Sequence, residues 1–549
     1  MRLASFAALP LLASALTAQQ QPRALSDSAI QSRQRAERRE DPRVGLQRRD
    51  GEGPYPRLVI RNAMLVDGTG APPRGPVDIV IENNRIAEVQ NAGTPGVAMD
   101  SAAQARRARG DRVIDATGLW VTPGLVDLHV HQGTQQKAPD SEYFNKLWLA
   151  HGVTTVRGVP FASFEYSVSE KRRSARNEIA APRYWVYQRP GSGWGRGPVR
   201  TPELAREWVR WAAQNGADGL KLGAERPPIM AALLDEARKL GLGSTAHLQQ
   251  TGVANMNALD AARLGLGSLT HFYGLFESMY DDTDVQPWPA DMNYNDEMHR
   301  FGQVARQWSM VTPRGERWNA LLKEFRERDL TLDPTLSIYS ASRDLQRKMT
   351  APWHTKYTLG SLWAYYQPSR TNHGAYWYDW TSWDETAWRN FYRVWMQFLN
   401  DYKNMGGRVT TGTDAGFIYA TPGFAMPEEM EMLQEAGFHP LEVIRAATLH
   451  GAQTLLKPRG AEPEFGTVEP GMLADLAIVD GNPIANLKVF YGTGWPRLND
   501  ATGRVETVGG VRWTVKDGIV YDARALLADV AKMVEEQRRT GRTATDASH

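Results

Sequence analysis

"GLVDLHVHQG", residues 124–133, puts two histidines, His129 and His131, one residue apart at the end of an apolar run. In an extended strand residues i and i+2 project to the same side, so both imidazoles face one way. Ring nitrogens held about 3 Å apart can each reach one metal ion at roughly 2.1 Å. Two buried histidines bonded to backbone carbonyls would look the same. The pair alone does not choose between these readings, and the rest of the chain has to.

Comparable apolar runs recur along the middle of the chain: "LWVTPGLVDLHVH", "GVTTVRGVP", "RYWVYQRP", "DGLKLG", "GSTAHL", "GSLTHF", "LTLDPTLSIY" and "RVTTGTDAG". Helix-like segments such as "TPELAREWVRWAAQNG" (201–216) and "PPIMAALLDEARKLG" (227–241) separate most of them. Strands alternating with helices predict a parallel sheet, and eight of them are the number that closes a (β/α)8 barrel. An open doubly wound sheet is the alternative. Polar residues gather at the C-terminal ends of several different runs, which is where a barrel builds its active site.

Four of those polar residues join the histidine pair. His247 closes "GLGSTAHL", His271 closes "GSLTHF", Lys221 lies in "GADGLKLG" and Asp414 in "VTTGTDAG". Each has an ordinary explanation: a capping or core histidine, an Asp heading a loop, a lysine reaching solvent. Six such residues at the ends of five of the eight runs fit one shared site better than independent accidents. Neutral imidazole and carboxylate suit a divalent ion such as zinc. A free ammonium binds no metal, so the lysine needs its own account.

Both flanks have another texture. "LVIRNAMLVDGTGAPPRGPVDIVIENNRIAEV" (58–89) reads as short strands and hairpins, as do "GTVEPGMLADLAIVDGNP" (466–483) and "VRWTVKDGIVYD" (511–522), the last with an Asp517-Gly518 hairpin turn. This predicts a composite β-sandwich from residues 57–117 and 460–523 around a barrel spanning 118–459. The C-terminal segment 524–549 reads as a helix followed by a polar tail.

"MRLASFAALPLLASALTAQQ" reads as a signal peptide over 1–18, and the Arg- and Pro-rich 19–56 as a solvated linker, which together predict a secreted or periplasmic protein. No later run reaches spanning length, so no stable membrane insertion is expected. With 549 residues, 42% of them apolar, the chain can bury a large core. A net charge of +2 gives no global reason for a nucleic-acid partner. The absence of cysteine excludes disulfides, thiolate ligands and a cysteine nucleophile.

Taken in order, "TPGLVDLHVH", "GVTTVRG", "GADGLKLG", "TAHL", "LTHF", "PTLSIY", "TGTDAG", "PLEVIRAATLHGAQTL" and "GTVEPGMLADLAIVDGNP" resemble the amidohydrolase superfamily, in particular its imidazolonepropionase-related, secreted dipeptidase-like branch. The resemblance covers residues 57–523 apart from a poorly matching stretch between His271 and Val409. It implies that His129 and His131 bind the more buried of two metal ions together with Asp414, that His247 and His271 bind the second, and that Lys221 carries a carbamate bridging both. Zinc is the default ion; manganese, cobalt or iron would suit the same ligands. It also implies a water acidified between the cations as the attacking hydroxide, with Asp414 taking its proton and passing it to the departing amine.

The expected function is hydrolysis of an amide-type C–N bond in a small molecule: a dipeptide, an N-acyl amino acid or a cyclic amide. Lactone, ester or phosphotriester hydrolysis on the same site is the alternative, and a non-catalytic binding or scaffold protein is the reading from another class. A homo-oligomer is compatible with the sequence. Relatives often read "VRD" where this chain reads "VRGVP", with Gly158 for the Asp, and the His247 loop reads "HLQQTGV" in place of an "HAHG"-like form. Asp127 is expected to be a supporting group and not a ligand. His151, His299, His354, His373, His439 and His450 lie away from the ends of the strand runs and read as ordinary. Ten of the 18 tryptophans fall between Trp288 and Trp395, inside an aromatic-rich insertion (272–405) after the sixth and seventh strands. That insertion reads as a lid or pocket wall, as a helical subdomain with its own core, or as an oligomer interface.

Overall fold

The computed structural model describes residues 48–540 except 95, 98–103, 105–106, 133–136, 139, 282–287, 294 and 371–372. The expected signal peptide, all of the linker before residue 48, and the tail after residue 540 lie outside the described residues.

All eight runs form strands of one parallel sheet, each hydrogen-bonded to the next in chain order. They are β6 (Leu125–Val130), β7 (Val153–Gly158), β8 (Arg183–Gln188), β9 (Gly219–Leu222), β10 (Gly243–Ala246), β11 (Ser268–Thr270), β12 (Thr331–Asp333) and β13 (Arg408–Val409). The chain after β13 returns to β6 and closes the barrel. Leu128 N–H donates to Thr411 O (2.9 Å), and Asp414 N–H donates to His129 O (2.7 Å). Val130 and Ala415 pair in parallel. Nearly every barrel-strand residue is buried, so the strands read as continuous apolar runs without alternation.

The helices between strands follow their sequence signals. Thr201 caps Pro202–Gln214 by accepting from Leu204 N–H, with proline in the first turn, and Ala205, Trp208, Val209 and Ala212 form its buried stripe. Pro227–Lys239 repeats the pattern, burying Met230, Leu233, Leu234 and Ala237.

The flanks build one eight-stranded sheet. Its strands are β1 (Arg57–Leu65), β2 (Arg74–Glu82), β3 (Arg85–Asn91), β4 (Arg112–Asp115), β5 (Trp120–Pro123), β14 (Leu476–Asp480), β17 (Gly510–Lys516) and β18 (Ile519–Asp522). A separate exposed hairpin, β15 (Trp495–Asn499) and β16 (Arg504–Val508), lies between the last two segments. β1 bends at Asn62, whose φ is +62°, so that its first half pairs with β4 and its second with β5. The folded-over sheet encloses its own core around Leu58, Ile60, Ile79, Val121, Ile478 and Val515. Asp517 and Gly518 both have positive φ, +51° and +76°, as the hairpin turn between β17 and β18 requires.

The run "LWVTPGLVDLHVH" is two strands, not one. β5 pairs with β1 and β14 in the composite sheet, and the barrel begins only with β6. Gly124 is the switch: its N–H donates to Asp475 O in the sheet (2.8 Å), while the N–H of Leu125 donates to Gly152 O in the barrel (2.8 Å). A Cβ at Gly124 would sit 2.2 Å from Thr154 Oγ1, so only glycine lets the two backbones come this close. The boundary expected at residue 118 therefore moves to 124.

Arg183, at the start of β8, pairs with Asp475 and Asp517, and Lys516 Nζ donates to Ser174 O (2.8 Å) and Asn177 Oδ1 (2.7 Å). These contacts fasten the sheet to the barrel. The C-terminal helix Ala523–Thr540 buries Leu526, Leu527, Val530 and Val534, and its Asp529 pairs with Lys146 (2.9 Å) on the barrel helix Glu142–Ala150. Among the described residues, no helix is long and apolar enough to cross a membrane.

Candidate active site at the barrel mouth

The six residues singled out in sequence meet at the C-terminal mouth of the barrel. Asp414 is the hub. Its Oδ1 lies 3.2 Å from His131 Nε2 and 3.5 Å from His129 Nε2, and its Oδ2 lies 3.6 Å from His271 Nε2. Lys221 Nζ is 3.3 Å from His129 Nε2, and the His247 and His271 rings are 4.6 Å apart between centroids. Five of the six line a cavity of about 520 Å³, and His271 stands behind its wall against His129 and His247. Asp414 and His271 hold left-handed backbone, φ +50° and +65°, a strained conformation for residues with side chains. The bond from Asp414 N–H to His129 O fixes it at one of them.

The converging side chains are largely buried and poised to bind a cation. Burial pushes the imidazoles of His129, His247 and His271 well below the usual histidine range, with Lys221 adding to the effect at the first two. At His131 burial also lowers the pKa, partly opposed by the contact with Asp414. Neutral imidazole is the metal-binding form. Burial, and next the nearby Arg189, push Lys221 well below an ordinary lysine. The uncharged amine is the form able to take up carbon dioxide, so the environment favours the chemistry that would make this lysine a ligand.

Outer contacts fix which nitrogen faces inward. His131 Nδ1 bonds Pro160 O (2.8 Å) and His271 Nδ1 bonds Thr335 Oγ1, which leaves each Nε2 for the centre. His271 Nε2 and His129 Nδ1 are buried without a hydrogen-bond partner. An unsatisfied buried nitrogen costs about 1–3 kcal/mol, which a cation at Nε2 would relieve. Ligand atoms gathered around one zinc sit roughly 3–3.5 Å apart, close to the spacings of His129, His131 and His271 to Asp414. The residues fit a divalent metal.

Supporting groups hold this arrangement. Asp127 accepts from the backbone N–H of His129 (3.2 Å) and of Thr413 (2.9 Å) and from the Thr413 hydroxyl (2.7 Å), tying β6 to the loop that carries Asp414. Below the site, Arg157 donates to Asp333 (3.0 Å), Leu128 O (2.6 Å) and Ser268 (3.1 Å) across the fully buried barrel interior. Gly158 has a steric cause: a Cβ there would lie 2.1 Å from the Phe161 ring, which stacks on Tyr184.

The cavity wall was not legible in advance. It includes Arg189, Gln249, Gln250, Tyr273, Tyr339 and His373. His373, read as ordinary, lies on the insertion, lines the cavity and bonds Glu297 (2.6 Å). The aromatic insertion divides its roles. Phe301, Tyr339, Tyr376 and neighbouring Phe417 face the cavity, while among the described residues no tryptophan lines it. Trp318, Trp388 and Trp395 are fully buried, with Trp388 stacked against Tyr339, so these three belong to the core that backs the wall, whereas Trp383 is exposed.

Known proteins resemble the chain in sequence and in fold. The amidohydrolase family model matches residues 394–511. Over 227 residues the chain is 29% identical to a dihydroorotase of Anaeromyxobacter dehalogenans (strain 2CP-C), a match covering 38% of this chain and 46% of that protein. The chain thus spans less than half the length of the curated relative it matches. The structure of a Xaa-Pro dipeptidase with bound methionine in the active site superposes with a TM-score of 0.55 at 18% identity, covering 85% of this chain and 100% of the other. A bottromycin amidohydrolase superposes with a TM-score of 0.55 at 20% identity, covering 86% and 90%. The family match runs through Asp414 and on into the strands that return to the composite sheet, and the solved neighbours share the barrel fold.

Proposed function

We propose that the protein is a metal-dependent hydrolase of amide-type C–N bonds, acting on a dipeptide, an N-acyl amino acid or a cyclic amide. The observation that carries this reading is the convergence of four imidazoles, a lysine and an aspartate at one cavity, with His271 Nε2 buried and left unpartnered. Two divalent cations held there would acidify a water and polarise the scissile carbonyl. His129, His131 and Asp414 would hold one cation, and His247 and His271 the other. Lys221 would lie between the two once converted to a carbamate.

The chain's own groups do the rest. Asp414 reaches the ligand centre with both oxygens, so one can accept the proton of the attacking water and return it to the departing amine. The outer bonds of His131 and His271 keep their rings from turning as charge develops. Burial of His129, Lys221 and His271 strengthens the electrostatic contacts at the centre. The relatives' names, a dihydroorotase, a Xaa-Pro dipeptidase and an amidohydrolase, support hydrolysis at carbon–nitrogen bonds.

The test is product release by the zinc-restored enzyme from dipeptides, N-acyl amino acids, cyclic amides, lactones and phosphotriesters, with Lys221→Ala alongside. Amine release that disappears in the variant is the expected result. Turnover confined to lactones or phosphotriesters would replace the C–N reading.

A further inference from the structure

The cavity is two-sided beyond the metal ligands. One wall is apolar and aromatic: Phe301, Ile338, Tyr339, Tyr376, Phe417 and Ile418. The opposite wall carries Arg189, the first residue after β8, and the Gln249–Thr251 loop that follows His247. Three observations set this wall apart. Of the other cavity-lining cations, Arg300 and His373 are both bonded to Glu297, at 2.9 and 2.6 Å. The Arg189 guanidinium, by contrast, has neither a hydrogen bond nor an ion pair among the described residues; Asp414 and Glu225 act on it only from a distance. Gln250 is 4% exposed, and its Nε2 donor has no partner.

The exposed guanidinium of Arg189 and the buried, unsatisfied amide donor of Gln250 line the same cavity, and an anionic ligand there would pair with both. The only acidic residue lining the cavity among the described residues that reaches toward the centre is Asp414, and it is already engaged with His129, His131 and His271. The planar fork of an arginine matches a carboxylate in shape as well as charge.

We propose that Arg189 and Gln250 form an anion subsite that binds a free carboxylate of the substrate, while its apolar part lies on the aromatic wall. The scissile bond then falls between the two walls, at the metal ligands. This narrows the substrate class to dipeptides and N-acyl amino acids with an apolar side chain, and it disfavours neutral cyclic amides. The turnover part rests on the hydrolase reading above; the binding part does not.

Two measurements on the zinc-loaded enzyme separate these. The first compares kcat/KM for N-acetyl-L-phenylalanine with that for N-acetyl-phenethylamine, which lacks only the carboxylate. The second compares the affinities of L-phenylalanine and phenethylamine by calorimetry. The acid of each pair should be favoured by about 100-fold in turnover and about tenfold in binding. In Arg189→Met the acid should fall to the level of its decarboxylated partner, mainly through KM, and Arg189→Lys should recover part of the difference.

Equal treatment of acid and analogue by the parent enzyme would overturn the subsite. So would an Arg189→Met variant that slows both substrates equally and loses bound zinc, because Arg189 would then serve the lysine and its metals instead of the substrate. Carboxylate-selective binding that depends on Arg189, with no turnover of either member, would keep the subsite and overturn the hydrolase reading.

Discussion

At Gly158 the lack of a side chain has a reason that lies three residues away. The Phe161 ring occupies the volume where any side chain at 158 would begin, and it stacks on Tyr184, which bonds Gln132 at the rim of the site. Gly158→Asp should therefore destabilise the protein by about 2–4 kcal/mol in urea unfolding. The double variant with Phe161→Ala should regain part of that loss; a single variant as stable as the parent would contradict the steric account. The six converging residues were legible because each stands at the end of an apolar run, where strand periodicity fixes its direction. Arg189 stands at such an end too, yet an arginine there ordinarily reaches solvent, and only its lack of a partner in the folded chain distinguishes it. His373 gave no signal, and Tyr339 stood only at the end of "PTLSIY" with no role assigned, because both reach the cavity through packing between segments far apart in sequence.

Among the elements, the strands and flanking helices were readable from local pattern, whereas the joints between domains were not. The pairing of Arg183 with Asp475 and Asp517 links residues about three hundred positions apart, and no spacing rule anticipates it. Removing the cation leaves two buried carboxylates facing each other. Arg183→Met should cost about 3–5 kcal/mol, read as a lowered urea midpoint; a loss below about 1 kcal/mol would show that the joint carries little of the stability.

A second joint supports the cavity wall. Glu429, on the helix Ala425–Glu435, accepts from Leu336 N–H (2.9 Å) and Ser337 N–H (2.6 Å) and so closes the start of the helix that brings Ile338 and Tyr339 to the cavity. Burial pushes its carboxyl from an ordinary 4.5 up to about 8. A carboxyl raised on folding contributes stability that is complete below the unfolded value and lost as pH climbs through the folded one. Glu429→Gln removes that dependence. Relative to the parent, the variant should gain stability between about pH 5 and about pH 8, on the order of a kcal/mol per pH unit. A difference in melting temperature that stays constant across this range would contradict the assignment.

For the whole molecule, a closed barrel brings six residues from five strands together at one mouth, where we propose that they hold a binuclear metal centre. The barrel count, the composite sheet from both flanks and the six residues that converge were all visible in the order of motifs. The switch at Gly124 was not, because β5 and β6 are one unbroken apolar run and only their pairing partners differ. The division of the insertion into a tyrosine and phenylalanine wall backed by tryptophan was equally hidden, since composition does not aim a ring. The most direct test of the claim is an anomalous difference map at the zinc edge from crystals of the zinc-restored protein. Two peaks should appear, one among His129, His131 and Asp414 and one between His247 and His271, with continuous density from Lys221 reaching both. A single peak with an unmodified lysine, or no peak among these six side chains, would contradict it.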